Sequence, residues 1–181
     1  EYLFVDQGWV HPSTLVLPRT WALKAPFVES IGYGDDAQLA IDLVHAGAKL
    51  RMIEEPLAIY YDLGGADKLS LTIHFEDFES SNNKAFVEWM ESKRQSIPER
   101  AYDAFKVRVL ARMIARRAPR QALGHLWNAY RGGAFDIRTS LYYAVQVFCP
   151  RLFRTVRDLV VRWKGRAQAG RLHQLLERQQ G

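Results

Sequence analysis

A single cysteine, Cys149, leaves the chain no internal disulfide, so packing alone must hold it together. At 181 residues it is long enough for one domain with a substantial core, and a disulfide scaffold is not needed. Long apolar runs are also missing. The longest, "LYYAVQVFC" from Leu141 to Cys149, has about half the roughly 20 residues of a spanning helix, which excludes a transmembrane segment. No repeat of fixed period and no low-complexity stretch argues for disorder or a solenoid. The opening "EYLFVDQGWV" has neither a basic start nor a cleavage pattern, so no signal peptide is expected. Starting at Glu1 rather than Met, the chain reads as an excerpt from something larger.

Charge of one sign is scarce in each half. Through Ile97 there are 8 Lys and Arg against 15 Asp and Glu, a net charge of −7, whereas from Pro98 onward 17 against 5 gives +12. Such an asymmetry bears on partners. The same division appears in the patterning. In the first half, "STLVLPR" holds a short, partly β-branched run, Thr14 to Leu17, which predicts a buried strand. "TWALKAPF" predicts a short helix ending before Pro26. A second helix is expected from Asp35-Asp36 to a stop at Gly47, followed by strands at "KLRMI" and "LAIYY".

From Asp77 onward every pattern is helical. "IPERAYDAFKVRVLARMIARRA" places Tyr102, Phe105, Val109, Met113 and Ile114 on one face. The next helix is expected to bury Leu123, Leu126, Trp127 and Tyr130 and to end at Gly132-Gly133. Ile137, Leu141, Val145 and Phe148 follow as a further face.

The order of these motifs resembles the family 2 glycosyltransferases of the GT-A fold, in their acceptor-side half. "STLVLPR" at 13 to 19, "WALKAPF" at 21 to 27, "DAQLAIDL" at 36 to 43 and "GAKLRMIEEPLAIYY" match the family's sequence of elements, and the likeness extends to about residue 115. It implies an α/β fold, part of a GT-A domain, over residues 1–75, with an all-helical C-terminal extension over 76–181. The family's nucleotide-binding half, with its Asp-x-Asp metal motif, would lie before Glu1, and no Asp-x-Asp occurs in this sequence. Mg²⁺ or Mn²⁺ is therefore expected to be held mainly by that half, and no residue here is assigned as a metal ligand. His74 is a weak match for the His that relatives carry after the "EPL" strand, where this chain has Tyr60 and Tyr61.

Alignment through "LAIDL" gives Asp36 the family's general-base position and Asp35 the preceding acidic one. The chemistry explains the residue type. A sugar leaving a nucleotide carrier is displaced at its anomeric carbon by a hydroxyl that is a poor nucleophile until a positioned base takes its proton. An ordinary Asp, with a pKa of about 4, is ionised at neutral pH. The resemblance also places His11, Ser13 and Thr14 where relatives contact donor sugar or acceptor. Tyr33, between two glycines just before the aspartates, is expected to line the acceptor mouth, and Asp35 is counted with these substrate contacts. Asp is also a preferred helix N-cap, and acids in a first turn favour the helix dipole, so the pair is expected to divide, with Asp35 as the cap and Asp36 as the base; the competing reading makes both structural.

The expected activity is inverting transfer from a nucleotide-sugar donor to a glycan or cell-surface polysaccharide acceptor. The expected place is cytoplasmic, peripheral on the inner face of the cell membrane. The helix from Pro150 to Lys164 sets Phe153 and Trp163 opposite arginines, a pattern suited to an anionic membrane surface. Nucleic acid is the least favoured partner, because no recognised binding module accompanies the charge. The alternative is a noncatalytic helical interaction or membrane-docking module carrying a degenerate glycosyltransferase remnant.

Overall fold

Helices supply all the regular structure among the described residues of a computed structural model, namely 1–8, 10, 14–32, 34–51, 53 and 81–160. They are α1 (Arg19–Lys24), α2 (Asp35–His45), α3 (Ser81–Ser92), a 3₁₀ turn (Arg94–Ser96), α4 (Glu99–Phe105), a π-helical segment (Lys106–Ala111), α5 (Arg112–Ile114), α6 (Pro119–Arg131) and α7 (Ile137–Phe148). Residues 150–160 form a further helix, α8.

The α/β expectation is thereby overturned: no strand occurs among the described residues. Thr14 to Leu17 shows why. Leu15 and Leu17 pack on Leu39 and Leu43 of α2, while Val16 between them is 96% exposed. The period-2 alternation is real, but a strand also needs a neighbouring strand for its N–H and C=O groups, and among the described residues there is no strand for it to pair with. The "KLRMI" run has no strand at its described positions, and Leu50 and Ile53 are exposed. "LAIYY" lies outside the described residues, as does the segment containing the expected 75/76 boundary.

α4, the π segment and α5 form one continuous rod at the centre. Ala101 through Phe105 are all buried, as are Val107, Val109, Ala111 and Met113, and such all-round burial marks a helix enclosed by neighbours. α3 meets the rod with Asn83, Phe86, Val87 and Met90, an i, i+3, i+4, i+7 row. One core cluster joins these to Phe4 and Ile31 from the acidic half, and to Leu126, Phe135 and Tyr143 beyond the rod. Phe105 is the aromatic hub: its ring lies edge-on to Phe4 at 5.6 Å and to Phe86 at 5.7 Å, and tilted on Tyr102 at 5.9 Å.

α6 and α7 make a tight antiparallel-type turn. Gly133, at φ 69°, lets its own N–H reach Tyr130 O and the N–H of Ala134 reach Ala129 O, a Schellman closure. Asp136 then caps α7, accepting from the Thr139 N–H at 2.7 Å. The faces differ from the sequence expectation. α6 buries the small row Ala122, Leu126 and Ala129 against the rod and leaves Leu123, Trp127 and Tyr130 outside. α7 buries Tyr143 and Val147 and exposes Ile137, Leu141 and Val145. Both rows are helical in period; on α6 the row with two alanines is buried, which lets the helix come close to the rod, whereas on α7 the aromatic Tyr143 is taken into the core beside Phe135.

His125 of α6 is held below its usual value, first by burial and then by repulsion from Lys106, with Asp103 opposing. A ring that is easier to protonate unfolded than folded binds more protons in the unfolded state. Stability is therefore full above the ring's ordinary value of 6.5 and declines as the pH falls through and below it. Urea titrations between pH 7.5 and 5, values spanning the ordinary His range of about 6.5, should show this slope, and His125→Gln should flatten it.

Candidate functional site

The Asp35-Asp36 pair opens α2, yet neither aspartate is its N-cap. Gly34 holds that position in the left-handed region, φ 83°, with no side-chain cap, and its carbonyl accepts the Gln38 N–H at 2.8 Å. Asp35 and Asp36 thus fall at the first two helical positions, both half-buried, where a carboxylate still meets the positive end of the helix dipole. Asp36 Oδ1 accepts the Ala37 N–H at 2.7 Å, satisfying one of the unpaired donors of the first turn. The expected cap at Asp35 does not hold, since Gly34 takes the N-cap position, whereas the placement of both acids in the first turn, towards the helix dipole, does.

Gly34 is required for a second reason. A Cβ built there would lie 2.7 Å from the Phe86 ring, which is itself fully buried. Gly34→Ala should cost about 2 kcal/mol from the left-handed backbone alone, with the ring clash added. Chemical denaturation would register the loss, and an unchanged midpoint would contradict the geometry.

Behind the aspartates, α2 is fixed from several sides. Gln38 is wholly buried; its Nε2 donates to Pro26 O at 3.1 Å and Asp42 Oδ2 at 2.7 Å, and its Oε1 accepts the Val28 N–H at 3.1 Å. Three partners leave this buried amide well satisfied, so the loop after α1 is stapled to the helix. Asp42 also pairs with Lys93 at 2.8 Å, and His45 Nε2 lies 3.4 Å from Ser96 O. At the far end, Gly47 at φ 94° permits a second Schellman closure through Gly47 N–H to Val44 O and Ala48 N–H to Leu43 O. The first turn of α2 is therefore carried on a helix tied to the α1 loop, to α3 and to the 3₁₀ turn.

Of the residues assigned from the sequence, Asp35 and Asp36 share this turn. Thr14 is exposed and opens the extended segment whose Leu15 and Leu17 lie on α2. His11, Ser13 and Tyr33 lie outside the described residues, as do Tyr60, Tyr61 and His74. Gln38, Lys93 and Phe86 escaped the sequence reading. The i, i+4 spacing of Gln38 and Asp42 was the one local signal; the other contacts join residues far apart in the chain.

Among the described residues no group of three His, Cys, Asp or Glu is placed to hold a metal ion. They do not supply a ligand set for Mg²⁺ or Mn²⁺. What the arrangement offers chemically is a half-buried carboxylate, held in direction, at the positive end of a helix. In comparison with known proteins, no family model, no curated protein and no solved structure matches the chain.

Proposed function

We propose that the chain belongs to an inverting sugar transferase, moving a sugar from a nucleotide-sugar donor to a glycan or cell-surface polysaccharide acceptor, with Asp36 as general base. The observation that supports this most directly is the position of Asp36 on the first turn of α2, half-buried and held in direction by the Ala37 N–H. The motif order from residue 13 to residue 61 supports it independently. The proposal carries no GT-A sheet with it.

In this reaction Asp36 takes the proton of the acceptor hydroxyl as its oxygen bonds to the anomeric carbon. The bond from that carbon to the donor's diphosphate breaks, and the diphosphate leaves with the electron pair. A single displacement inverts the anomeric configuration, unlike a retaining route through a covalent intermediate. Fixing α2 holds the base in one direction, which is where positioning contributes most to rate. Asp35, His11, Ser13, Thr14 and Tyr33 are assigned to contacts with the substrates, and Mg²⁺ or Mn²⁺ to the leaving diphosphate, held by residues beyond those described. In this reading the protein works in the cytoplasm, at the inner face of the cell membrane. No helix among the described residues is long and apolar enough to cross a membrane.

The test is an assay of the complete gene product with a panel of nucleotide sugars and glycan acceptors, in Mg²⁺ and in Mn²⁺. Release of nucleoside diphosphate together with an inverted anomer, read by NMR, is the expected result. A retained anomer, or no transfer across the panel, would overturn the assignment.

A further inference from the structure

α6, α7 and α8 each leave an apolar row uncovered. The rows are Leu123, Trp127 and Tyr130; Ile137, Leu141 and Val145; and Leu152, Val156 and Leu159, spaced at three or four residues and between 40% and 61% exposed. On α6 and α7 the opposite face is already committed to the core. α8 touches the body through the Phe153 ring, edge-on to Tyr142 at 5.2 Å, and its remaining described residues 151–160 are exposed. Burying such rows is favourable, and three of them on successive helices are more than the scattered single apolar residues of an ordinary surface.

The charge of the stretch that carries the rows selects an occupant for them. Residues 116–160 contain 8 Arg, 2 Asp and neither Lys nor Glu, a net charge of +6, and all the arginines of that stretch are exposed. A second copy of this face would bring the same positive charge against itself. Nucleic acid would complement the positive charge but has nothing to receive rows of Leu, Ile and Val. An anionic bilayer meets both demands: its headgroups pair with the guanidinium groups, and its acyl boundary takes the apolar side chains to a depth of about 5–10 Å. Trp127 and Tyr130, in ring contact at 5.9 Å, are of the type that favours this boundary.

We infer that α6, α7 and α8 form a docking surface for an anionic membrane, lying on the bilayer without crossing it. The surface is wider than the tail from Pro150 that the sequence suggests, because α6 and α7 each leave an apolar row exposed. The inference is independent of the sugar-transfer reading.

Cosedimentation of the full chain with vesicles decides it. Binding to phosphatidylcholine vesicles carrying about 30% phosphatidylserine should exceed binding to pure phosphatidylcholine at least roughly tenfold, and should fall with added salt as exposed charges are screened. Two double variants separate the contributions: Trp127→Glu with Leu141→Glu for the apolar rows, and Arg138→Gln with Arg151→Gln for the charge. Each should weaken binding on the order of tenfold while circular dichroism keeps the helical signal, since all four residues are exposed. Should the first pair disturb folding, the arginine pair decides alone. Equal or absent binding to both vesicles overturns the inference. So does self-association, by sedimentation velocity, that the Trp127→Glu and Leu141→Glu pair abolishes without any vesicle binding, or binding to a DNA oligonucleotide in preference to the anionic vesicles.

Discussion

Asp36→Asn should lower the sugar-transfer rate of the complete gene product by about 10² to 10⁴, the usual worth of a general base, and leave its melting behaviour nearly unchanged. The two halves of that expectation have separate grounds. An amide cannot take the acceptor's proton at neutral pH, so the chemistry loses its base. The fold loses little, because Gly34 and not Asp36 occupies the N-cap, and the Asn Oδ1 can still accept the Ala37 N–H. The charge–dipole contribution at the helix start, typically about 0.3–1 kcal/mol, goes with the charge. Asp35→Asn is the matched control: it makes the same change of charge one position earlier and should retain most of the activity. If Asp35→Asn is the inactive variant while both melt normally, the base is Asp35. If both stay active, the pair serves α2 alone and the catalytic assignment fails.

How much of this was readable in the sequence depends on the range of the interactions involved. The helices past Asp77 follow from periodicity and punctuation, with Gly132-Gly133 closing α6 where a left-handed residue was needed. The start of α2 at Asp35 was equally local. The strand at Thr14 to Leu17 failed because alternation reports which side chains face inward, whereas a sheet depends on a partner that local sequence does not specify. The faces of α6 and α7 were misjudged for a related reason: each carries two apolar rows, and which is buried is chosen by the rod it meets. The Gln38 staple and the Asp42–Lys93 pair were beyond local reading, since they join α2 to positions up to 51 residues away, the span from His45 to Ser96 included. The π segment also left no mark in the pattern, because Tyr102, Phe105, Val109 and Met113 satisfy an ordinary helical face while the backbone widens beneath them.

Those same long-range contacts converge on Phe105, and Phe105→Ala should destabilise the fold by about 3–5 kcal/mol. The side chain has no exposed surface, and its ring meets Phe4, Phe86 and Tyr102, so truncation loses the burial of a large ring, opens a cavity and removes three aromatic contacts together. Neighbouring helices cannot readily collapse into the space. Ala101 and Ala104, both fully buried on the same rod, already hold the backbones close, and the rod is fixed on its other side by Ala122, Leu126 and Ala129 of α6. The consequence reaches the candidate site, because Phe86 packs at once on Phe105 and against Gly34, where α2 begins. Urea denaturation followed by circular dichroism measures the loss. Phe105→Leu, which keeps most of the volume and forfeits the ring contacts, should cost clearly less than the alanine variant. A Phe105→Ala loss below about 1 kcal/mol, the level of an exposed substitution, would mean that Phe105 is not the hub of this core.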